Sequence, residues 1–161
     1  MQNVIETRLS ELGIQLKEAP VAVGAYVPCV VEGSLLYISG QIPIDDGQIK
    51  FTGQMSSDAH PSSNDISVGQ AAARLCCINI LTQAKATLSS LDRIERCIRL
   101  GGFVSCPSDF YDHAQVVNGA SYLMKEIFGE NGQHCRAAVG CSSLPLNSLV
   151  EVEALFKIQA D

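Results

Sequence analysis

Apolar and polar residues alternate along the C-terminal stretch HCRAAVGCSSLPLNSLVEVEALFKIQAD, which runs from His134 to Asp161. Alternation with a period of two is typical of β-strands, whose successive side chains point to opposite faces of a sheet. We therefore predict two strands that are joined at the Leu-Pro pair as an antiparallel hairpin.

In the final strand, the face predicted to lie under helices carries Val150, Val152, Ala154, Phe156 and Ile158. The other face carries Glu151, Glu153, Leu155 and Lys157, a mixture that predicts contact with another subunit rather than with water.

Helical spacing of apolar residues occurs in three other stretches. Residues 1–18 are predicted to contain a short helix that ends around Gly13 or shortly after, on the basis of Val4, Ile5, Leu9, Leu12 and Leu16. A second helix is predicted from a cap at Asp65 or Ser67 to about Leu88. Its apolar stripe is predicted to comprise Val68, Ala71, Ala72, Leu75, Ile78, Leu81 and Thr82. The third helix is SDFYDHAQVVNGASYLMKEIF, with its cap predicted near Ser108 or Asp109.

The remaining segments complete the predicted order of elements. YVPCVVEGSLLYISGQIPI divides at Glu32-Gly33-Ser34 into a hairpin, in which Gly40 marks a place where another group approaches closely. RIERCIRLGGFVS is a strand, GENGQ is a turn, and residues 45–65 are predicted to be a long irregular and mobile loop. The order β-β-α-β-α-β-β predicts an α+β fold, a mixed sheet with both helices on one face. We expect one domain over residues 1–161.

Composition agrees with a compact soluble domain. The chain has 161 residues, of which 47% are hydrophobic and 17% charged. No apolar run reaches the roughly 18 residues that a membrane span requires. The amphipathic N-terminus MQNVIETRLSELGIQL lacks the basic start and apolar core of a secretory signal. We therefore expect a cytoplasmic protein without membrane contact.

The charge balance disfavours a nucleic-acid partner. Seventeen acidic residues against eleven basic ones give a formal net charge of -6, and the basic residues are scattered along the chain. Proteins that bind nucleic acid depend on clustered positive charge that neutralises phosphates.

The cysteines and histidines do not predict a metal site or a disulfide framework. The seven cysteines are odd in number, include an adjacent pair, and contain no C-x-x-C motif and no cluster with histidine at zinc spacing. We expect free, buried thiols. His60, His113 and His134 are far apart in the sequence, and exposed or structural roles are the default for them.

Two charged residues in the C-terminal strands, Arg136 and Glu151, allow two interpretations. They can form an ion pair that fastens a sheet face at a subunit interface. Alternatively, the guanidinium of Arg136 binds a small anion through two hydrogen bonds, and Glu151 handles a proton or orients a water. The spacing alone does not decide between them.

A family resemblance favours the second interpretation. The segments GAYVPCVVEGSLLYISGQIP, VVNGASY and CRAAVGCSSLPLNSLVEVEA, in this order and at these separations, resemble the RidA (YjgF-like, L-PSP endoribonuclease-like) family over roughly residues 19 to 158. The resemblance implies a chorismate-mutase-like subunit that assembles as a homotrimer with pockets at the subunit interfaces. It also implies hydrolysis of enamine and imine intermediates such as 2-aminoacrylate to 2-keto acids and ammonia, without a cofactor or metal.

The resemblance assigns roles to individual residues. It implies that Arg136 binds the substrate carboxylate and that Glu151 orients water, so these two are the expected catalytic residues. The expected substrate-binding residues are Tyr26, Ser39, Gly40, Asn118 and Ala138, the last standing where well-studied members carry a pocket cysteine and offering its backbone carbonyl. The longer loop 45–65 and the extra helix at 1–18 indicate a side branch of the family.

Three functions follow as expectations from these observations. The first is an enamine/imine deaminase, and the second is a trimeric binder of small carboxylate metabolites without catalysis. The third is the ribonuclease of the family's name, which the charge of -6 and the lack of a basic groove disfavour.

Overall fold

The computed structural model of the chain describes residues 3–20, 24–56 and 65–159. The helices are α1 (Val4–Glu11), α2 (Ile66–Leu88) and α3 (His113–Phe128). The strands are β1 (Cys29–Glu32), β2 (Leu35–Gln41), β3 (Ile44–Asp45), β4 (Gln48–Ile49), β5 (Ile94–Ser105), β6 (Cys135–Cys141) and β7 (Val150–Ile158). Short 3-10 helices lie at Leu91–Arg93, Gly129–Gly132 and Pro145–Asn147.

The main sheet has five strands in the order β1-β2-β7-β5-β6. β5 and β6 are parallel, whereas the other neighbouring pairs are antiparallel. α2 packs against β2 and β7, and α3 packs against β5 and β6. The mixed sheet with two helices on one face confirms the predicted α+β fold.

The predicted C-terminal hairpin is wrong, because β5 lies between β6 and β7. β6 runs parallel to β5, with Leu100 opposite Arg136, and β5 runs antiparallel to β7, with Leu100 opposite Ala154. The chain between β6 and β7 is therefore a crossover rather than a tight turn. Alternation identifies a strand but does not identify its neighbours, and the twelve-residue β5 is long enough to pair along both edges.

The two faces of β7 agree with the prediction. The five residues predicted to lie under the helices are all buried: Val150, Val152, Ala154, Phe156 and Ile158. Glu151, Glu153 and Leu155 are half-buried, while Lys157 is exposed. The face of the sheet without helices also carries three large apolar side chains that are close to half exposed: Val30, Tyr37 and Val139. Its contact with another subunit stays a prediction.

The buried face of α2 differs from the predicted stripe. Ala71 is exposed and Leu75 is half-buried, whereas the fully buried residues include Ala72, Ala73, Cys76, Cys77 and Ile80. The difference arises because α2 packs on two partners, the sheet and α3, and its small residues let both approach. The closest approach is at Gly119 of α3, where a Cβ atom would lie 2.0 Å from the carbonyl oxygen of Gln70.

The helix boundaries are partly as predicted. Asp65 caps α2, because its side chain accepts a hydrogen bond from the Val68 amide at 3.0 Å. α3 begins at His113, later than the predicted cap at Ser108 or Asp109, and Asp112 at its start makes no side-chain cap. The predicted turn GENGQ is mostly a 3-10 helix.

The segment predicted as a loop at 45–65 contains regular structure in its first part. β3 and β4 form a two-stranded sheet, and Met55 is buried. Lys17 forms ion pairs with Asp45 and Asp46, and the Asn79 side chain on α2 donates to the carbonyl oxygens that flank Pro43. Residues 57–64 lie outside the described residues, so the prediction of mobility is not tested there.

All seven cysteines are free, and four of them are buried: Cys76, Cys77, Cys97 and Cys106. Over residues 3–20, 24–56 and 65–159, no group of three or more His, Cys, Asp or Glu side chains is arranged to hold a metal ion. Within the same ranges, no helix has the length and apolar character needed to cross a membrane.

The N-terminal helix ends close to the predicted end near Gly13 and contacts the rest of the domain. It ends at Glu11, and Leu9 is buried. The side chain of Asp92, in the 3-10 helix before β5, accepts hydrogen bonds from the backbone amides of Val4 at 3.0 Å and Ile5 at 2.9 Å. A residue distant in the sequence therefore satisfies the first amides of α1.

We predict that Asp92→Ala lowers the free energy of unfolding by about 0.5–2 kcal/mol, the usual effect of removing a helix cap. Asp92→Asn retains one acceptor oxygen and should lose less. Urea unfolding of the three proteins measures the difference. Equal stability of Asp92→Ala and the wild type would show that α1 does not depend on this cap.

Candidate functional site

Arg136 extends from β6 towards α3, where three oxygen atoms accept hydrogen bonds from its guanidinium. Nη1 donates to Asn118 Oδ1 at 2.7 Å and to Ser121 Oγ at 3.0 Å, and Nη2 donates to the Ala114 carbonyl oxygen at 3.2 Å. All three acceptors are neutral groups. The predicted site residues Arg136 and Asn118 are thus in direct contact.

The positive charge of Arg136 has no carboxylate partner among the described residues. A guanidinium has five N–H donors, and the three hydrogen bonds leave Nε–H and one Nη2–H. Two donors on one planar group suit bidentate binding of a carboxylate. Because Arg136 is half-buried, an anion at this position would relieve an unpaired charge.

Ser121 and His134 extend the hydrogen-bond network behind Arg136. Ser121 Oγ lies 2.9 Å from His134 Nε2, and His134 Nδ1 lies 2.6 Å from the Gly132 carbonyl oxygen. Sequence reasoning missed both residues and left His134 in a structural or exposed role. A usable signal was present, because Ser121 follows Asn118 by one helical turn and His134 precedes Arg136 by two residues.

Glu151, near the start of β7, lies against Gly40 of β2. A Cβ atom at position 40 would be 1.8 Å from Glu151 Oε1, so only glycine leaves room for this carboxylate. The sequence prediction of a close approach at Gly40 is therefore confirmed. Burial raises the pKa of Glu151, and the negative charge of Glu153 raises it further. The side chain consequently retains a proton to higher pH than an ordinary glutamate.

A cavity of about 380 Å³ opens beside Glu151. Tyr26 and Gly40, two of the predicted binding residues, line it together with Pro145 and Leu146. Ser39 lines a different pocket, together with Arg99 and Glu153, and its hydroxyl donates to the Pro28 carbonyl oxygen at 3.2 Å. The cavity wall is largely apolar, so the carboxylate of Glu151 is its charged feature.

The structure separates the predicted residues into two groups. We call Arg136, Asn118 and Ala138 the arginine half-site, and Tyr26, Gly40 and Glu151 the glutamate half-site. Arg136 lies opposite the buried Leu100 on the helix-covered face, whereas Glu151 lies opposite Phe103 and alternates with buried neighbours. The two charged groups therefore lie on opposite faces and form no ion pair within the chain. Ala138 packs against the core on the helix-covered face.

Comparison with known proteins identifies relatives along nearly the whole chain. Residues 6–158 match the family model described as "YjgF/chorismate_mutase-like, putative endoribonuclease". Protein TCP17 of Trypanosoma cruzi is 39% identical over 155 residues, which cover 96% of this chain and 94% of that protein.

Solved structures show the same similarity. The protein Atu1372 from Agrobacterium tumefaciens is 46% identical with a TM-score of 0.85, and the match covers 98% of this chain and 94% of that one. TdcF from E. coli, solved with bound serine, is 26% identical with a TM-score of 0.60, over 89% of this chain and 94% of that one.

We predict that Gly40→Ala displaces the Glu151 carboxylate into solvent, because the added methyl group would occupy its position. The pKa of Glu151 should then fall towards that of an ordinary glutamate, as measured by NMR titration of the side-chain carboxyl. Ser39→Ala is the control, since it removes a hydroxyl bonded to Pro28 and leaves the space beside Glu151 unchanged. An unaltered Glu151 pKa in Gly40→Ala would contradict the contact.

Proposed function

Because the chain belongs to the YjgF/chorismate-mutase-like family, we propose that it hydrolyses reactive enamine and imine intermediates of the 2-aminoacrylate type to 2-keto acids and ammonia. Family membership by itself supports the broader role of a small-molecule deaminase or binder. The observation that carries the more specific proposal is Arg136, whose guanidinium donates to three neutral acceptors, keeps two further donors, and has no carboxylate partner in the part of the chain that the structure describes.

In this proposal, Arg136 binds the carboxylate that every 2-imino acid carries. Bidentate binding holds the plane of the carboxylate, so the adjacent imine carbon has a defined direction. Asn118 fixes the guanidinium from the side of α3. The serine in the TdcF structure is a small carboxylate-bearing molecule, which supports a ligand of this class.

Glu151 provides the proton transfers of the proposed reaction. The enamine first tautomerises to the imine, and a water molecule then attacks the imine carbon while Glu151 accepts a proton from it. Return of that proton to the imine nitrogen gives a carbinolamine. Glu151 then transfers the hydroxyl proton to the amino group, the carbon–nitrogen bond breaks, and ammonia leaves as the carbonyl forms. The raised pKa of Glu151 supports this role, since a carboxylate with a raised pKa is a stronger base for the water proton than an ordinary glutamate.

The proposed site is completed by a second chain. The arginine half-site and the glutamate half-site lie on opposite faces of one sheet, which prevents one ligand from contacting both. We therefore propose a homotrimer in which the arginine half-site of one chain faces the glutamate half-site of its neighbour. The exposed apolar side chains Val30, Tyr37 and Val139 support the proposal that the open face of the sheet is covered by another subunit.

A second candidate function is a binder of small carboxylate metabolites that performs no catalysis. The specific observation in its favour is Ala138, which has no polar side chain at the position of the family's pocket cysteine and packs against the core. Thermal stabilisation by 2-keto acids without ammonia release from imino acids would favour this candidate. A ribonuclease is weaker than either, because the net charge of -6 repels a polyanion.

We predict that Arg136→Gln lowers kcat/KM for ammonia release from enzymatically generated imino acids by about 10-fold or more, the effect of losing charged hydrogen bonds of about 1.5–3 kcal/mol. Arg136→Lys retains the charge without the planar pair of donors and should recover only part of the loss. Wild-type activity in Arg136→Gln would contradict the carboxylate site. A wild-type protein that binds 2-keto acids but releases no ammonia would support the second candidate, a binder without catalysis.

We predict that two impaired variants, Arg136→Gln and Glu151→Gln, gain activity above that of either alone when they are unfolded together and refolded as mixed oligomers. Each site takes its arginine and glutamate from different chains, so random mixing restores about a quarter of the sites. Sedimentation should show a species near three times 17.2 kDa. If one chain held a complete site, no mixture of these variants would recover activity.

A further inference from the structure

A chain of three hydrogen bonds connects Arg136 to the backbone after α3, and its direction follows from the chemistry of its ends. The Gly132 carbonyl oxygen can only accept, so His134 Nδ1 carries a proton and donates to it. In the neutral imidazole, Nε2 is then an acceptor, and the hydrogen bond at 2.9 Å takes the proton of the Ser121 hydroxyl. The oxygen of Ser121 is thereby left to accept from Arg136 Nη1 at 3.0 Å.

We propose that His134 and Ser121 are positioning residues, in which neutral His134 orients the Ser121 hydroxyl so that its oxygen holds Arg136 in the carboxylate-binding arrangement. The inference rests on the proposed function, since Arg136 is the group through which both residues act. Neither side chain needs to touch the ligand.

The positioning effect follows from the two acceptors that Nη1 meets. Asn118 Oδ1 and Ser121 Oγ occupy both hydrogens of that nitrogen, which fixes the rotation of the guanidinium plane. The free donors on Nε and Nη2 consequently keep one direction. If the Ser121 proton turned towards Arg136, the contact between Ser121 Oγ and Arg136 Nη1 would become repulsive. The orientation of the Ser121 hydroxyl therefore decides whether the guanidinium keeps this position.

Protonation of His134 reverses this orientation. A proton on Nε2 makes His134 a donor to Ser121, so the hydroxyl proton must find another acceptor, and a second positive charge lies one oxygen away from Arg136. Burial and the charge of Arg136 both lower the pKa of His134, so the neutral form is favoured.

The other charged residues of the surrounding elements do not offset Arg136 at this histidine. On α3, Lys125 is exposed and Glu126 pairs with Arg74. Glu130 in the adjacent 3-10 helix is exposed, and Arg99 of β5 pairs with Glu153. The charge that acts on His134 is that of Arg136.

The test measures pyruvate affinity and imine turnover of the intact protein between about pH 4.5 and 8.5, a range that extends well below the ordinary histidine pKa because the pKa of His134 is lowered. Wild-type affinity for pyruvate should fall as the pH drops through the pKa of His134. His134→Leu and Ser121→Ala should weaken pyruvate binding and raise KM by about fivefold at high pH, the effect of one hydrogen bond. They should change kcat less than KM, and their pyruvate affinity should not fall as the pH drops.

Two further variants separate positioning from a structural role. His134→Gln keeps an acceptor for the Ser121 hydroxyl but has no titrating group. At high pH it should bind pyruvate more tightly than His134→Leu does, and its affinity should not fall as the pH drops. His113→Gln is the control histidine, because its side chain contacts Cys106 rather than the network, and it should retain the wild-type profile. A wild-type pH profile in His134→Leu, or affinity in His134→Gln no better than in His134→Leu, would overturn the proposal.

A measurement that needs neither turnover nor a ligand distinguishes failure of this inference from failure of the proposed function. NMR titration of His134 should give a higher pKa in Arg136→Gln than in the wild type, because the neighbouring charge is removed. An unchanged pKa overturns the coupling even if the enzyme is active. A raised pKa in a protein that neither binds pyruvate nor hydrolyses imines would support the coupling and reject the proposed function.

Discussion

The position of β5 between β6 and β7 constrains the rest of the site. This strand is parallel to β6 and antiparallel to β7, and it places Leu100 opposite Arg136 and Phe103 opposite Glu151. Because residues an odd number of positions apart face opposite sides, the two charged groups are directed away from each other. Any chemistry that uses both therefore depends on bringing a second copy of the chain against the first.

Separation of the two charges also sets their electrostatic states. An ion pair between Arg136 and Glu151 within one chain would lower the pKa of the carboxyl and occupy the donors of the guanidinium. Instead, burial and Glu153 raise the pKa of Glu151, and Arg136 donates to three neutral oxygen atoms on α3. The glutamate half-site thus has a carboxyl group that holds its proton to higher pH. The arginine half-site has a guanidinium with two donors left and with no carboxylate partner over residues 3–20, 24–56 and 65–159.

Local features of the fold could be predicted from the sequence, whereas features that depend on distant segments could not. The buried face of β7 and the cap at Asp65 follow from residues near each other in the chain. The glycine at position 40 indicated a close approach, but not that Glu151, distant in sequence, makes it. The neighbours of β6 and the buried face of α2 depend on packing against segments far away in sequence, and hydrophobic periodicity does not encode them. Resemblance to a family indicated Arg136 and Glu151, but the hydrogen bond between His134 and Ser121 of α3 is a tertiary contact that the pattern does not reveal.

The contact between α2 and α3 has a consequence for how this chain tolerates sequence change. At Gly119 the two helices meet through backbone atoms, without intervening side chains. Asn118 directly precedes Gly119 and Ser121 follows it by two residues, and both accept hydrogen bonds from Arg136. Exchange of one core side chain for another of similar volume leaves a main-chain contact unchanged. The main-chain contact therefore sets the geometry of the arginine half-site. Core side chains around it can be exchanged at similar volume without moving Asn118 and Ser121.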